Sequence, residues 1–242
     1  MLQGFFYGLN NPMRSQAQIN AIKSRITDPY SIDSFLTISE VLSLIDLFDK
    51  TAEGKVYKNT GPITLDLPKD NSLINDIISR IAQHIGPFDI TAAFFFYTNI
   101  PHIIHNDDTF ELPDGVYKAI TLPLKINHVV GDELPKLCFF DQFYFQGPAK
   151  FFNGSKDIPT YYNKCIYEYS GVDGIVDTPI FDDGKLFTHL RPQWLKGLSL
   201  HSVLPWMPTS ALIFDSTRLH CASDFKRLNI QSKLGISIFT KV

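Results

Sequence analysis

The chain changes its hydrophobic period once, at Gly86-Pro87, and that change limits what it can fold into. Before it, apolar residues recur at helical spacing. Residues 16–26 are polar with periodic Ile, 39–48 are amphipathic, and so are 73–81, with Asp70-Asn71-Ser72 placed to cap them. After it, short apolar runs bounded by turn residues predict strands over 89–100, 116–126, 136–145, 197–204, 209–215 and 233–241. The aromatic clusters Phe94-Phe95-Phe96, Phe139-Phe140, Phe143-Tyr144-Phe145 and Phe151-Phe152 are of the kind that fills the space between sheets. Residues 146–197 are rich in Gly, Pro, Asn, Asp and Tyr and weakly periodic, which predicts a long excursion over the surface.

Helices followed by mostly non-alternating strands predict an α+β, mainly β fold: a double-stranded β-helix (jelly roll) with supporting N-terminal helices. One domain, 1–242, is expected, with helical support over 1–87 and a jelly-roll core over 88–242 that carries the insertion 146–197. With 44% hydrophobic residues the chain can bury such a core. A net charge of −3 without a Lys/Arg block speaks against nucleic acid as a partner. Cys138, Cys165 and Cys221 show no CxxC spacing and read as reduced thiols. Gly171-Val172-Asp173-Gly174 lacks the lysine and following helix of a phosphate loop. The N-terminus has no basic segment followed by a sustained apolar run, and 90–100 is too short to span a bilayer, so a soluble, cytoplasmic protein with no membrane partner is expected.

The chemistry concentrates in PHIIHNDD, residues 101–108. Pro101 and the β-branched pair Ile103-Ile104 argue for extended chain, in which His105 and Asp107 share a face and Asn106 points away. One imidazole and one carboxylate on a common face make two thirds of the 2-His-1-carboxylate triad that holds non-haem Fe(II). By itself an H-x-D match is weak. The stretch PTSALIFDSTRLHCASDF, residues 208–225, offers the missing ligand, His220, shortly after a strand ending at Asp215. SKLGISIFTKV then returns as a strand with Lys233 near its start, a cation placed to hold the far carboxylate of a ligand on the metal.

The order H-x-D, long insertion, strand, His, then a basic residue opening the last strand resembles the Fe(II)/2-oxoglutarate-dependent oxygenases, most of all the prolyl-hydroxylase and phytanoyl-hydroxylase branch. The similarity covers roughly 88–242, and LPWMPTSALIFDSTRLH and SKLGISIFT carry most of it. It implies His105, Asp107 and His220 as metal ligands and catalytic centre, Fe(II) as cofactor, 2-oxoglutarate as cosubstrate and dioxygen as oxidant. Oxidative decarboxylation to succinate and CO2 would then drive hydroxylation of a small organic molecule or an amino-acid or peptide side chain. Family members that halogenate carry a small residue where this chain has Asp107, so hydroxylation is the implied chemistry. The family's basic anchor is often Arg and some ten residues after the distal histidine. Here Lys233 is thirteen on, and Arg227 and Lys118 are alternatives. Tyr97, Thr121 and Gln142 lie on strands that should line the barrel and are expected to help bind the cosubstrate. His102 is expected beside the metal ligands or on the exterior, Asp108 in a solvated turn and His201 buried or half-buried; Arg218 is a candidate substrate contact. Phe151, Phe152, Tyr161, Tyr162, Tyr167 and Trp194 are expected to form a lid or substrate wall, more mobile than the barrel. Two other functions share this fold: a non-catalytic binding module, and a cupin-type metalloenzyme that does not use 2-oxoglutarate.

Overall fold

Each helix begins where a side chain satisfies the first unpaired backbone N–H groups. In the computed structural model of the protein, which describes residues 13–53, 63–109, 112, 114–128, 133–151, 172–176 and 184–242, α1 (Gln16–Lys23) is capped by Ser15 and α2 (Ile38–Ala52) by Thr37. Gln18 and Glu40 close reciprocal capping boxes on these two helices. Asn71 caps α3 (Ser72–Ile85), which stops at Gly86 with φ 82°, a conformation that glycine adopts without strain. Ile74, Ile77 and Ile81 of α3 and Val41 and Leu44 of α2 form the buried faces.

Those faces rest on a six-stranded sheet. Its strands are β1 (Tyr30–Ile32), β2 (Ile63–Asp66), β3 (Asp89–Thr98), β4 (Lys118–His128), β8 (Ala211–Asp215) and β10 (Ile230–Lys241), in the order β1-β8-β4-β10-β3-β2. Neighbouring strands of this sheet pair antiparallel throughout. Alternation splits β10 in two: Leu234, Ile236 and Ile238 pack toward the helices with Phe95, Ile120 and Leu122, while Lys233, Ser237 and Phe239 face a central cavity. Each fully buried aliphatic side chain in the helix–sheet layer contributes roughly 1.5–3 kcal/mol. The opposing sheet has β5 (Lys136–Tyr144) paired with β6 (Val172–Asp173), β7 (Leu200–Pro205) and β9 (Arg218–Ala222). The two sheets form the jelly roll.

Three expectations change. The first 87 residues are not only helical, because β1 and β2 extend the large sheet at both edges. His220, expected shortly after the strand that ends at Asp215, itself lies in a strand, β9, which follows a turn at 216–217 and is buried along its whole length. The excursion 146–197 is anchored in the core at both ends: Phe151, Phe187, Leu190 and Leu198 are buried with Ile104 and Phe140. Phe152, Tyr161, Tyr162 and Tyr167, and with them most of the proposed lid, lie outside the described residues. None of the helices among the described residues is long and apolar enough to cross a membrane.

Candidate metal centre

Backbone pairing sets the site. His105 and His220 exchange two backbone hydrogen bonds, 3.0 and 2.9 Å, and His105 also forms a β-bridge with Lys150. The chain at 105 therefore runs as a short strand beside β9. Asp107 N–H donates to the Ser216 carbonyl at 2.8 Å. Alternation then turns 105 and 107 inward and 106 and 108 outward. The Asn106 amide donates to the carbonyls of Tyr144 (3.1 Å) and Gly147 (2.9 Å) and accepts from Ala149 N–H at 2.6 Å, which fixes the register. Asp108 is not a solvated turn residue. It is buried, takes a two-point contact from the Arg14 guanidinium and accepts from Val116 N–H at 3.2 Å.

His105, Asp107 and His220 converge, with one potential ligand atom from each lying within 4.8 Å of the other two. His105 Nδ1 is 2.7 Å from the Ile103 carbonyl and His220 Nδ1 is 3.0 Å from the Arg218 carbonyl. A carbonyl can only accept, so both Nδ1 atoms carry the proton and both Nε2 atoms present lone pairs. These face the Asp107 carboxylate at 3.5 and 3.4 Å. Burial, reinforced by His102 and His220, holds the His105 imidazole well below its usual pKa and so keeps it neutral. When the rings carry a proton, His220 first and His105 after it outweigh the upward push of burial and hold the Asp107 carboxyl below its ordinary value. When they are neutral, no donor is left among the three. Three acceptors aimed at one another without a donor repel, and a cation between them converts that repulsion into binding. The donor set fits a divalent metal ion of the kind that takes a 2-His-1-carboxylate site.

The triad opens into a cavity of about 430 Å³. Lys233 lines it, is 4% exposed and holds its Nζ over the rings of Trp206 (4.7 Å) and Phe225 (4.9 Å). Desolvation pushes its pKa down to about 7. The two alternative anchors are elsewhere. Lys118 is buried in an ion pair with Asp215 at 2.5 Å and donates to Thr27 Oγ1 at 2.7 Å, and Arg227 donates to the Gly184 carbonyl at 3.0 Å. Thr121 lines the cavity as expected.

Tyr97 and Gln142 do not reach it. Tyr97 turns to the helix side and stacks on Phe48, with centroids 6.5 Å apart. The Gln142 amide donates to the Gly174 carbonyl and Ser199 Oγ at 2.7 and 3.1 Å. Arg218 donates to the Phe140 carbonyl and lies over Phe143 at 4.3 Å, away from the cavity wall. His201 is half-buried, as expected, between Asp141 at 2.8 Å and Asp28 at 3.2 Å. His102, expected either beside the ligands or on the exterior, takes the first of these places: it lines the cavity with its ring centroid 4.0 Å from that of His105. Burial, with the Lys150 ammonium beside it, pushes the His102 pKa down to about 3. Trp206 and Phe225 were not singled out as site residues, although Trp206 sits within the LPWMP stretch that carries the resemblance.

No family model and no curated protein matches the sequence. Solved structures do match in fold. The chain is similar to the non-haem α-ketoglutarate-dependent epimerase SnoN from nogalamycin biosynthesis, at 14% identity over 93% of this chain and 82% of that one, with a TM-score of 0.53. It is similar to the α-ketoglutarate-dependent carbocyclase SnoK from the same biosynthesis (12% identity, 93% and 83% covered, TM-score 0.51). HygX from Streptomyces hygroscopicus, with nickel and 2-oxoglutarate bound, also matches (12% identity, 95% and 87% covered, TM-score 0.50). The chain thus has the jelly-roll fold of the 2-oxoglutarate-dependent non-haem oxygenases.

Proposed function

We propose that the protein is an Fe(II)- and 2-oxoglutarate-dependent oxygenase that hydroxylates a small organic molecule or an amino-acid or peptide side chain. The observation that carries this is the meeting, in one cavity, of two Nε2 lone pairs, one carboxylate and the buried Lys233 ammonium. His105, Asp107 and His220 would hold the iron and leave its other side open toward the cavity. Lys233 would pair with the far carboxylate of 2-oxoglutarate, a charge-assisted contact that is strong where water is excluded. Trp206 and Phe225 cover the ammonium and keep water from it. Iron with 2-oxoglutarate, when bound, supplies the oxidation of an unactivated C–H bond by dioxygen, with succinate and carbon dioxide as by-products. The chain contributes orientation, charge neutralisation and exclusion of water.

The epimerase and carbocyclase among the similar structures favour a second reading, in which the same site inverts a stereocentre or closes a ring. One experiment separates these outcomes. The purified protein is supplied with Fe(II), 2-oxoglutarate and a panel of candidate substrates, and succinate release and product mass are both recorded. Hydroxylation adds one oxygen, epimerisation leaves the mass unchanged and ring closure removes two hydrogens. Failure of Fe(II) and 2-oxoglutarate together to give a metal-to-ligand absorption band without oxygen would overturn the proposal itself.

A further inference from the structure

We infer that the mouth of the cavity is a recognition site for an aromatic ring, formed by Phe94, Phe96 and Phe239, and that the primary substrate is a neutral molecule carrying such a ring. This deepens the proposed function and rests on it. Sheet register orders the cavity wall. Along β10 the lining residues run from Lys233 through Ser237 to Phe239, a span of about 20 Å at ~3.3 Å per residue. On the neighbouring β3, Thr98 lies level with Lys233, Phe96 with Gly235 and Phe94 with Ser237.

Exposure divides this wall in two. Lys233, Thr98, Trp206 and Phe225 are buried. Phe94, Phe96, Ser237 and Phe239 are half-buried, and Thr64, opposite Phe96 on β2, is exposed. The lysine end is closed and the phenylalanine end is open, so a 2-oxoglutarate held by Lys233 leaves the aromatic end to a second molecule.

The open end is built to receive a ring. Phe94 and Phe239 meet with centroids 5.7 Å apart and planes tilted by 42°, and Phe96 meets Trp206 edge-on at 6.2 Å. Each phenylalanine is thus oriented by an aromatic neighbour while part of its surface stays open to the cavity. A planar ring placed against them gains stacking or edge contacts that a saturated ring of the same size does not. The side chains that line this end carry no charge, and their polar groups are the hydroxyls of Thr64 and Ser237. An ionised group would lose hydration here without a charged partner among these five residues, which favours a neutral ligand. Phe239 packs against Phe214, whose ring lies 4.8 Å from that of His220. A ring held at the mouth is therefore one side chain away from the triad.

The test uses the whole protein, anaerobic, saturated with Fe(II) and 2-oxoglutarate so that Lys233 is occupied, and measures binding by calorimetry. Benzyl alcohol, benzamide and N-benzylacetamide are each compared with the cyclohexyl counterpart. The saturated rings are the more hydrophobic, so burial alone would favour them. At least one aromatic probe should nevertheless bind about threefold or more tighter than its counterpart, the size expected for one or two ring contacts. Phe94→Leu and Phe239→Leu keep apolar bulk and should each lower that ratio, whereas Phe94→Tyr should keep it. The metal-to-ligand band of all three variants should match that of the unaltered protein. The inference is overturned if no aromatic probe binds, if the cyclohexyl probes bind as well or better, or if either leucine variant keeps the full preference. Absence of the band in the unaltered protein would strike the proposed function, and the inference with it. An intact band without aromatic preference strikes the inference alone.

Discussion

Two buried lysines on neighbouring strands have opposite meanings. Lys118 meets a carboxylate, Asp215, whereas Lys233 meets aromatic faces and open cavity. Lys233→Met is accordingly expected to raise the 2-oxoglutarate concentration needed for half-saturation roughly hundredfold, at ~1.4 kcal/mol per tenfold, with iron binding little changed. Lys118→Met should leave 2-oxoglutarate binding intact but strand the Asp215 charge. It should cost about 3–5 kcal/mol of stability in a denaturant titration, the usual size for breaking a buried pair.

Because the Lys233 pKa is pushed down to about 7, cosubstrate binding should also be linked to protons. Below that pH the ammonium is already present. Above it, binding must take up a proton, so affinity should fall by up to tenfold per pH unit. Proton uptake seen by calorimetry in buffers of different ionisation enthalpy checks the sign. The free protein runs the other way. The unfolded lysine stays charged to about pH 10.4 while the folded one does not, so this residue's contribution to stability rises with pH between those values.

That His105 and Asp107 turn to one side was legible at this scale because alternation in extended chain puts residues two apart on a common face. Tyr97 was misplaced by one position: its neighbours Phe96 and Thr98 line the cavity, and a run apolar on both faces does not reveal its parity. Which of its two expected places His102 takes was not legible, because Lys150, 3.1 Å from its ring, lies 48 residues away.

At the scale of elements, β10 shows how packing prepares the site. A Cβ on Gly235 would lie 2.9 Å from the Leu122 carbonyl and from the Trp206 ring, and 3.0 Å from Phe96. Backbone cannot yield there, so Gly235 is what lets Trp206 approach β10 and cover Lys233. Gly235→Ala should destabilise the fold by roughly 1–3 kcal/mol in thermal unfolding. It should also weaken 2-oxoglutarate binding, although the residue touches no ligand. The helices and long strands could be read from periodicity and capping residues. The short strand β9 could not, since five buried residues between turns have no period to read. Gln142 was misjudged for a related reason: register shifts in β5, between Phe139 and Phe140 against β7 and between Phe139 and Phe143 against β9, reset which residues face inward.

For the whole molecule, a metal that joins 105–107 to β9 ties distant parts of the chain together. Saturating divalent metal at a hundred times its dissociation constant should add about 2.7 kcal/mol to stability and raise the melting temperature by roughly 5–10 °C. Asp107→Ala should abolish that rise; a variant that keeps it in full removes Asp107 from the metal site. The topology carries a different consequence. β10 lies between β3 and β4 and comes after both in the chain, pairing with β3 from Thr98 back to Asp89 and with β4 from His128 back to Ala119. During synthesis these two strands must wait, edges open, for the segment that separates them. Assembly is then a late closure that completes the sheet and delivers Lys233 to the cavity in one event, so a nascent chain without β10 offers chaperones an unfinished wall and lacks the lysine proposed to anchor the cosubstrate.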